Sequence, residues 1–175
     1  MIAFAPRTLL VTLDLHQDRA TAPQPSPWAA ACAHVLRHAR RNGWEIVHVR
    51  SAASAGDRPI AGLEPRPREA ILSRSGLSPL GLRALTARLQ DCDEVYLAGY
   101  WLSASGLAGL FSAYEAGLRL TLVEDAVAAP PADPTPSVTE VTLRRTARPY
   151  HRSIRSEQLL AHAEPAFTRL AANNA

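Results

Sequence analysis

Residues 94–117 read EVYLAGYWLSASGLAGLFSAYEAG, and this stretch decides the fold. Residues 95–98 are a short apolar run with the length of a buried strand, and the run stops at Gly99. A helical pattern follows, with one face formed by Leu107, Leu110, Phe111 and Tyr114. A strand, a tight turn and a helix place the turn at the carboxyl edge of a parallel sheet, where the first N–H groups of the helix point outward. The turn is therefore the candidate functional site.

Apolar runs and helical patterns alternate through the rest of the chain. Strands are predicted in residues 8–15, 44–49, 69–73 and 118–123 and near 153–154. Helices are predicted after Ser26 and Ser78, within residues 138–147 and from Ser156. This alternation predicts an α/β fold, a three-layer α/β/α sandwich with a mostly parallel, Rossmann-like sheet. The chain has 175 residues and is 47% hydrophobic, which predicts one domain spanning residues 1–175.

The composition argues against several classes of function. All 19 basic residues are arginine, which excludes chemistry that needs a lysine amine. The net charge of +3 is modest, and the arginines are scattered without an interleaved aromatic stripe, so no nucleic-acid partner is indicated. The two cysteines, Cys32 and Cys92, form no CxxC motif and have no histidine spacing suited to a metal. We therefore expect neither a metal nor a cofactor.

The sequence also bears on location and assembly. Residues 9–15 are apolar but too short for a membrane span, and Asp14 interrupts them. We expect a cytoplasmic protein with no membrane partner.

Residues 51–68 are rich in glycine and proline and have no period, so they form a long excursion. Such loops often serve as lids or oligomer contacts, and we expect a homo-oligomer.

Two segments resemble the isochorismatase-like hydrolases of the cysteine hydrolase superfamily. LLVTLDLHQD, residues 9–18, resembles the first strand of that family, which ends in an aspartate, an apolar residue and a glutamine. Asp14 matches the aspartate, and His16 replaces the glutamine. SRSGLSPLGLRAL, residues 73–85, resembles the segment that carries the family's lysine, and Arg74 stands at the lysine position.

The resemblance continues through the turn that follows Gly99. GYWLSASGLAGLFSAYEAG, residues 99–117, resembles the family's glycine, variable turn, nucleophilic cysteine and following helix. Ser105 stands at the cysteine position and keeps its spacing to the glycines at both ends. VEDAVAA, residues 123–129, is similar to the Asp-Ala that closes the next strand. The order and spacing of these segments carry the resemblance.

The resemblance implies a hydrolase that acts on a small molecule, with Asp14, Arg74 and Ser105 as the catalytic set. In the amidase branch, the cysteine attacks a carbonyl, the aspartate takes its proton and the lysine orients both. A serine hydroxyl is a much weaker nucleophile than a thiol. In the isochorismatase branch, the cysteine is absent and the aspartate acts as an acid toward a vinyl ether. Arg74 is suited to bind an anionic substrate, and the expected substrate-binding residues are His16, Tyr100 and Trp101.

Each of these residues also has a structural interpretation. Ser105 is suited to cap the helix or to serve as a small spacer, and Asp14 and Arg74 to form a structural ion pair. His16 is suited to be a hydrogen-bonded wall residue. Tyr100 and Trp101 are suited to the core or to an interface. Two hypotheses follow: a hydrolase of a small, anionic metabolite, or an inactive family member that serves as a binding module or oligomer subunit. An open pocket containing Asp14 and Arg74 would favour the hydrolase, and a turn filled by Trp101 would favour the inactive protein.

Overall fold

The computed structural model describes residues 6–16, 27–54, 56–128 and 138–162. Its centre is a six-stranded sheet in the order β3-β2-β1-β4-β5-β6, with every neighbouring pair parallel. The strands are β1 Thr8–Leu13, β2 Glu45–Ser51, β3 Ala70–Arg74, β4 Glu94–Gly99, β5 Leu120–Val127 and β6 Arg152–Ile154. The helices are α1 Pro27–Arg41, α2 Arg83–Gln90, α3 Ala104–Glu115, α4 Val138–Ala147 and α5 Ser156–His162. The predicted α/β sandwich with a parallel, Rossmann-like sheet is confirmed.

Two apolar layers attach the helices to the sheet. Leu9, Val11 and Leu13 of β1 belong to a cluster that includes residues of α2, α3 and α4. Leu10 faces the other way and belongs to a cluster with residues of α1 and α5. All six residues of β1 are buried because helices cover both faces of the sheet. The near-continuous apolar run in the sequence reflects this burial.

The strand order determines where a functional site would lie. β2 lies on one side of β1 and β4 on the other, so the chain reverses its direction of winding at β1. Leu13 at the end of β1 is in register with Gly99 at the end of β4. The loops after these two strands therefore diverge at the same point on the carboxyl edge. In open α/β sheets this topological switch point is the usual place for a ligand.

The helix predicted after Ser78 begins later than the sequence indicates. Ser78 does act as a cap, but it caps a 3₁₀ turn, Pro79–Gly81, and its hydroxyl accepts a hydrogen bond from Leu80 N at 3.2 Å. α2 begins only at Arg83 and has no side-chain cap. The predicted cap at Ser26 lies outside the described residues. In the described part of the chain, no helix combines the length and hydropathy needed to cross a membrane.

Candidate functional site

Asp14 leaves β1 in a strained backbone conformation. Its φ of 54° lies in the left-handed region, which residues other than glycine seldom adopt. Its N–H donates to Val49 O at 2.8 Å, and its carbonyl accepts from His16 N at 2.8 Å. Its side-chain Oδ1 accepts from Ser51 N at 2.9 Å. Backbone strain of this kind costs about 1–3 kcal/mol and concentrates at functional sites.

Arg74, the last residue of β3, reaches Asp14 across the carboxyl edge of the sheet. Its Nη2 donates to Asp14 Oδ2 at 2.6 Å, and its Nη1 donates to Gly76 O at 3.2 Å. The two paired side chains are only 11% and 15% exposed. Arg74 Nε is buried, and no acceptor for it lies within the described residues. The structure thus brings two of the three predicted catalytic residues into direct contact.

The turn after β4 is attached closely to the end of β1. Gly99 has a φ of +99°, and a Cβ atom at this position would overlap the carbonyl oxygen of Leu13. Tyr100 N donates to that same oxygen at 2.9 Å. A Cβ atom on Gly106 would overlap the carbonyl of Trp101, so the turn also lies directly against the first turn of α3. The absence of a side chain at these two glycines therefore permits the close approach of the two backbone segments.

Ser103 caps α3, so the interpretation of Ser105 as the cap is wrong. Ser103 Oγ accepts a hydrogen bond from Gly106 N at 3.1 Å and donates to Tyr100 O at 2.8 Å. Ser105 is the second residue of the helix and is half-buried. Among the hydrogen bonds of the described residues, none joins its hydroxyl to Asp14 or Arg74. The predicted catalytic set is therefore linked only through its first two members.

Replacing Ser103 with alanine tests this assignment. The Ser103→Ala variant is expected to lower the free energy of unfolding by about 1 kcal/mol, because an N-terminal N–H of α3 loses its acceptor. Ser105→Ala is the matched control and is expected to change the stability by less than about 0.5 kcal/mol. Urea denaturation of both variants measures the difference. Equal losses in the two variants would contradict the cap at Ser103.

Trp101 lies in the core. Its side chain is 1% exposed and belongs to the apolar cluster beneath α2 and α3. A Cβ atom on Gly109 would lie 3.1 Å from Trp101 Cζ3, so the ring packs directly on the helix. A substrate cannot reach this ring without a rearrangement, which argues against the expected role of Trp101 in substrate binding. Tyr100 instead packs on Trp28 of α1, with the ring centroids 4.8 Å apart.

His16 lines a cavity of about 240 Å³ on the α1 side of the sheet. The floor of the cavity includes Thr12 and His48, and the excursion contributes Asp57, Pro59 and Leu63. His16 Nδ1 is buried and has no hydrogen-bond partner in the described part of the chain. Its Nε2 lies 3.9 Å from Asp57 Oδ2. Asp14 and Arg74 are not among the residues that line this cavity.

A buried polar chain leads from this cavity to α1, and the sequence analysis did not identify it. Thr12 Oγ1 lies 2.8 Å from His48 Nδ1, and His48 Nε2 lies 2.9 Å from Glu69 Oε2. The Glu69 carboxylate also accepts from Arg40 Nε at 2.7 Å and from Arg66 N at 2.8 Å. The signal in the sequence is His48 itself, a histidine between Val47 and Val49 in the buried part of β2.

The charges in this polar chain follow from its geometry. Burial lowers the pKa of His48, and the hydrogen bond to Glu69 offsets only part of that effect. Burial alone would raise the pKa of Glu69, but hydrogen bonds from Arg40, Arg66 N and His48 outweigh it and lower the pKa to about 2. Near neutral pH, Glu69 is therefore an anion that only accepts hydrogen bonds. Neutral His48 then donates from Nε2, and its Nδ1 accepts from the Thr12 hydroxyl.

Cys32 is a buried cysteine of α1. Burial raises the pKa of Cys32 to about 12, and its Sγ donates to Ala126 O at 3.0 Å. Such a thiol is not a nucleophile near neutral pH. Within residues 6–16, 27–54, 56–128 and 138–162, no group of three or more His, Cys, Asp or Glu side chains is arranged to hold a metal ion.

Solved structures similar to this chain share its fold. A MAR1 ribonuclease from Caenorhabditis elegans has 16% identity and a TM-score of 0.73, covering 95% of this chain and 88% of that one. An isochorismatase-like hydrolase from Alkaliphilus metalliredigens has 14% identity and a TM-score of 0.74, with coverages of 90% and 99%. An isochorismatase-family protein from Chromobacterium violaceum has 24% identity and a TM-score of 0.70, with coverages of 91% and 97%.

The sequence itself matches a family model. No match was found among curated protein sequences. The model of the isochorismatase domain, however, matches residues 8–147, which contain β1 to β5 and every predicted site residue. This match confirms the resemblance drawn from the sequence. The chain belongs to the isochorismatase family.

Proposed function

We propose that this protein is a hydrolase of a small, anionic metabolite, in which Asp14 exchanges a proton with the substrate and Arg74 binds the negative charge of the substrate. The observation that carries the proposal is the 2.6 Å contact between Arg74 Nη2 and Asp14 Oδ2 at the carboxyl edge of the sheet. The strained backbone of Asp14 supports it, because the fold holds this carboxylate in place at a local energetic cost.

Arg74 has the donors needed for a second acceptor. One of its terminal nitrogens binds Asp14 and the other binds Gly76 O, while its Nε has no acceptor in the described residues. A guanidinium group presents its donors in a rigid planar fork that matches a carboxylate. Because Nε is buried, a substrate carboxylate reaches it only if the neighbouring side chains move, and the contact would then satisfy an N–H group that is costly to leave without a partner.

The start of α3 supplies donors for a negative charge on the substrate. The first hydrogen bond of the helix runs from Leu107 N to Ser103 O at 2.9 Å, and Gly106 N is capped by Ser103. The N–H groups of Ala104 and Ser105 have no acceptor within the helix. Donors fixed in this way bind the carboxylate of an anionic substrate without reorganisation, and in the hydrolysis of an amide or ester they would instead stabilise an oxyanion. In this proposal Ser105 contributes through its main chain.

The proposed chemistry therefore does not use a side-chain nucleophile. A serine needs an adjacent base to attack a carbonyl, and the Ser105 hydroxyl has no hydrogen bond to Asp14 within the described chain. In the favoured reaction, the carboxylic-acid form of Asp14 protonates the vinyl carbon, and water adds to the resulting oxocarbenium ion and returns a proton to the Asp14 carboxylate. The hemiketal then breaks its C–O bond to release an alcohol and a carbonyl product, so no side-chain nucleophile is needed. We therefore favour vinyl-ether hydrolysis over an acyl-enzyme route.

Hydrolysis across a panel of small amides, esters and isochorismate-like vinyl ethers tests this proposal. Asp14→Asn is expected to reduce kcat/KM by at least about 100-fold, the usual contribution of a general acid or base. Ser105→Ala is expected to retain activity within a few-fold, because its N–H group remains. Glu45→Gln removes a carboxylate at the amino end of β2, at the opposite edge of the sheet, and is expected to leave kcat/KM unchanged. Full activity of Asp14→Asn, or equal losses in Asp14→Asn and Ser105→Ala, would contradict the proposal.

The inactive binding module or oligomer subunit remains the second candidate. Two observations favour it: Trp101 fills the turn at 1% exposure, and the cavity of about 240 Å³ opens beside His16 and not at the Asp14–Arg74 pair. For this candidate, calorimetry would detect binding of a panel compound without turnover. Light scattering would also detect the homo-oligomer that we expect. Turnover that depends on Asp14 would exclude a catalytically inactive protein.

A further inference from the structure

Four arginine side chains line a groove of about 250 Å³ at the edge of the sheet opposite Asp14. Arg37, Arg40 and Arg41 come from the last turns of α1, and Arg66 comes from the excursion before β3. α1 ends just before β2 begins, and Arg66 precedes the first residue of β3 by four positions. The groove therefore lies at the amino edge of the parallel sheet, away from the candidate catalytic site.

Glu69 holds the base of this groove in place. Its two carboxylate oxygens accept from Arg40 Nε at 2.7 Å and from Arg40 Nη2 at 3.0 Å, a forked ion pair. Arg40 Nη2 also donates to Glu64 O at 2.9 Å. The same carboxylate accepts from the main-chain N–H of Arg66 at 2.8 Å, which fixes the segment that brings Arg66 to the groove. Glu69 thus fixes the side chain of Arg40 and the main chain of Arg66, and so ties the excursion to the end of α1.

The groove carries more positive charge than the acidic groups around it neutralise. Glu69 balances Arg40, and the Glu64 side chain accepts from Gly62 N at 3.0 Å. The other three arginines, Arg37, Arg41 and Arg66, are exposed and make no ion pair with any described residue. Nearby His38 adds no charge near neutral pH, because burial and the charge of Arg41 lower its pKa.

Stabilisation of α1 by positive charge at its end explains the positions of only some of the four arginines. Cations in the last turn of a helix interact favourably with its macrodipole, which accounts for Arg40 and Arg41. Arg37 and Arg41, however, are four residues apart on one helix, a spacing at which like charges repel. Arg66 belongs to a different segment and gains nothing from the dipole. A concave site that collects like charges from two segments is suited to a multivalent anion.

We infer that this groove binds the linked phosphates of a small molecule. Guanidinium groups bind phosphate oxygens through forked, charge-assisted hydrogen bonds. One phosphate group carries about −1.5 to −2 charge near pH 7, so two linked phosphates match three unpaired arginines more closely than one does. Arg37, Arg41 and Arg66 contact the phosphates, and Arg40 forms the floor of the groove. The site is independent of the proposed hydrolysis.

Isothermal titration calorimetry with inorganic pyrophosphate tests the site. The native protein is expected to bind pyrophosphate saturably, with an affinity that falls as salt is raised. The double variant Arg37→Gln/Arg41→Gln is expected to bind at least ten-fold more weakly. Arg83→Gln/Arg119→Gln removes the same charge from two exposed arginines elsewhere and is expected to bind like the native protein. Circular dichroism establishes that all three proteins are folded.

Four results would overturn the inference. The first is the absence of saturable pyrophosphate binding by the native protein. The second is an equal loss of affinity in the two double variants, which would show a non-specific effect of net charge. The third is orthophosphate binding as tight as that of pyrophosphate, which would contradict recognition of linked phosphates. The fourth is a short RNA that binds the native protein more tightly than pyrophosphate and competes for the same arginines, which would assign the groove to a polymer.

Discussion

Replacing Gly99 with alanine is expected to lower the free energy of unfolding by about 3–5 kcal/mol, the range of severe single substitutions. Gly99 has a φ of +99°, which an alanine adopts only with strain. The added Cβ would also overlap the main chain of Leu13, and neither strand can move because β1 and β4 are paired side by side in the sheet centre. The turn that follows Gly99 would shift away from Asp14. Urea denaturation measures the loss.

Gly117→Ala separates the cost of the left-handed backbone conformation from the cost of the Cβ overlap with Leu13. Gly117 has a φ of +70°, but nothing lies within 4 Å of the position that its Cβ would occupy. We expect this variant to lose only about 1–2 kcal/mol, the cost of the left-handed conformation alone. Insolubility of Gly99→Ala with normal folding of Gly117→Ala would agree with the prediction. Similar losses in the two variants would show that the contact with Leu13 is unimportant.

Replacing Glu69 with glutamine is expected to destabilise the protein by about 3 kcal/mol at pH 7 and to flatten its response to acid. Folding lowers the pKa of Glu69 from 4.5 to about 2, and each unit corresponds to about 1.4 kcal/mol. A carboxyl group with a lowered pKa stabilises the fold above its ordinary pKa of 4.5, and this contribution is lost as the pH falls through 2. His48 acts in the same direction below pH 6.5, because its lowered pKa also makes protonation favour unfolding.

Glu45→Gln is the matched control for this substitution. Glu45 pairs with Arg88 at 2.8 Å, but the two side chains are 38% and 35% exposed. Exposed ion pairs contribute about 1 kcal/mol or less, so this variant is expected to unfold almost like the native protein. Denaturation midpoints at pH 7, 4 and 3 give the comparison. A Glu69→Gln variant with the native dependence on pH would contradict the proposed role of Glu69.

Much of the fold could be predicted from local pattern. The buried run of β1, the strand and turn ending at Gly99 and the periodic faces of the helices follow from residues close together in the chain. The contact between Asp14 and Arg74 joins residues 60 positions apart, and its prediction rested on the resemblance to the family. The resemblance to the family placed Asp14 near Arg74, whereas periodicity relates only residues that are close together in the chain.

Local pattern could not predict which of two nearby serines caps α3 or whether Trp101 is buried. SAS at residues 103–105 offers two serines as caps, and the point at which the backbone turns into α3 selects Ser103. Trp101 follows a strand end, where the sequence allows either exposure or burial. Packing against Gly109 of α3 buries it. The two serines differ by two positions, and Trp101 could lie on either side of the turn, so tertiary contacts decide both cases.

The sequence by itself determined the class of fold, the order of its elements, the family and the edge of the sheet where Asp14 and Arg74 meet. Only the tertiary structure decided which serine caps α3, that Trp101 is buried, and that Glu69 joins His48 to Arg40. It also gathered Arg66 with the arginines of α1, which the sequence shows only as scattered positive charges. The physical reason is distance along the chain: periodicity and capping act within a few residues, whereas ion pairs and packing join segments that become neighbours only after folding.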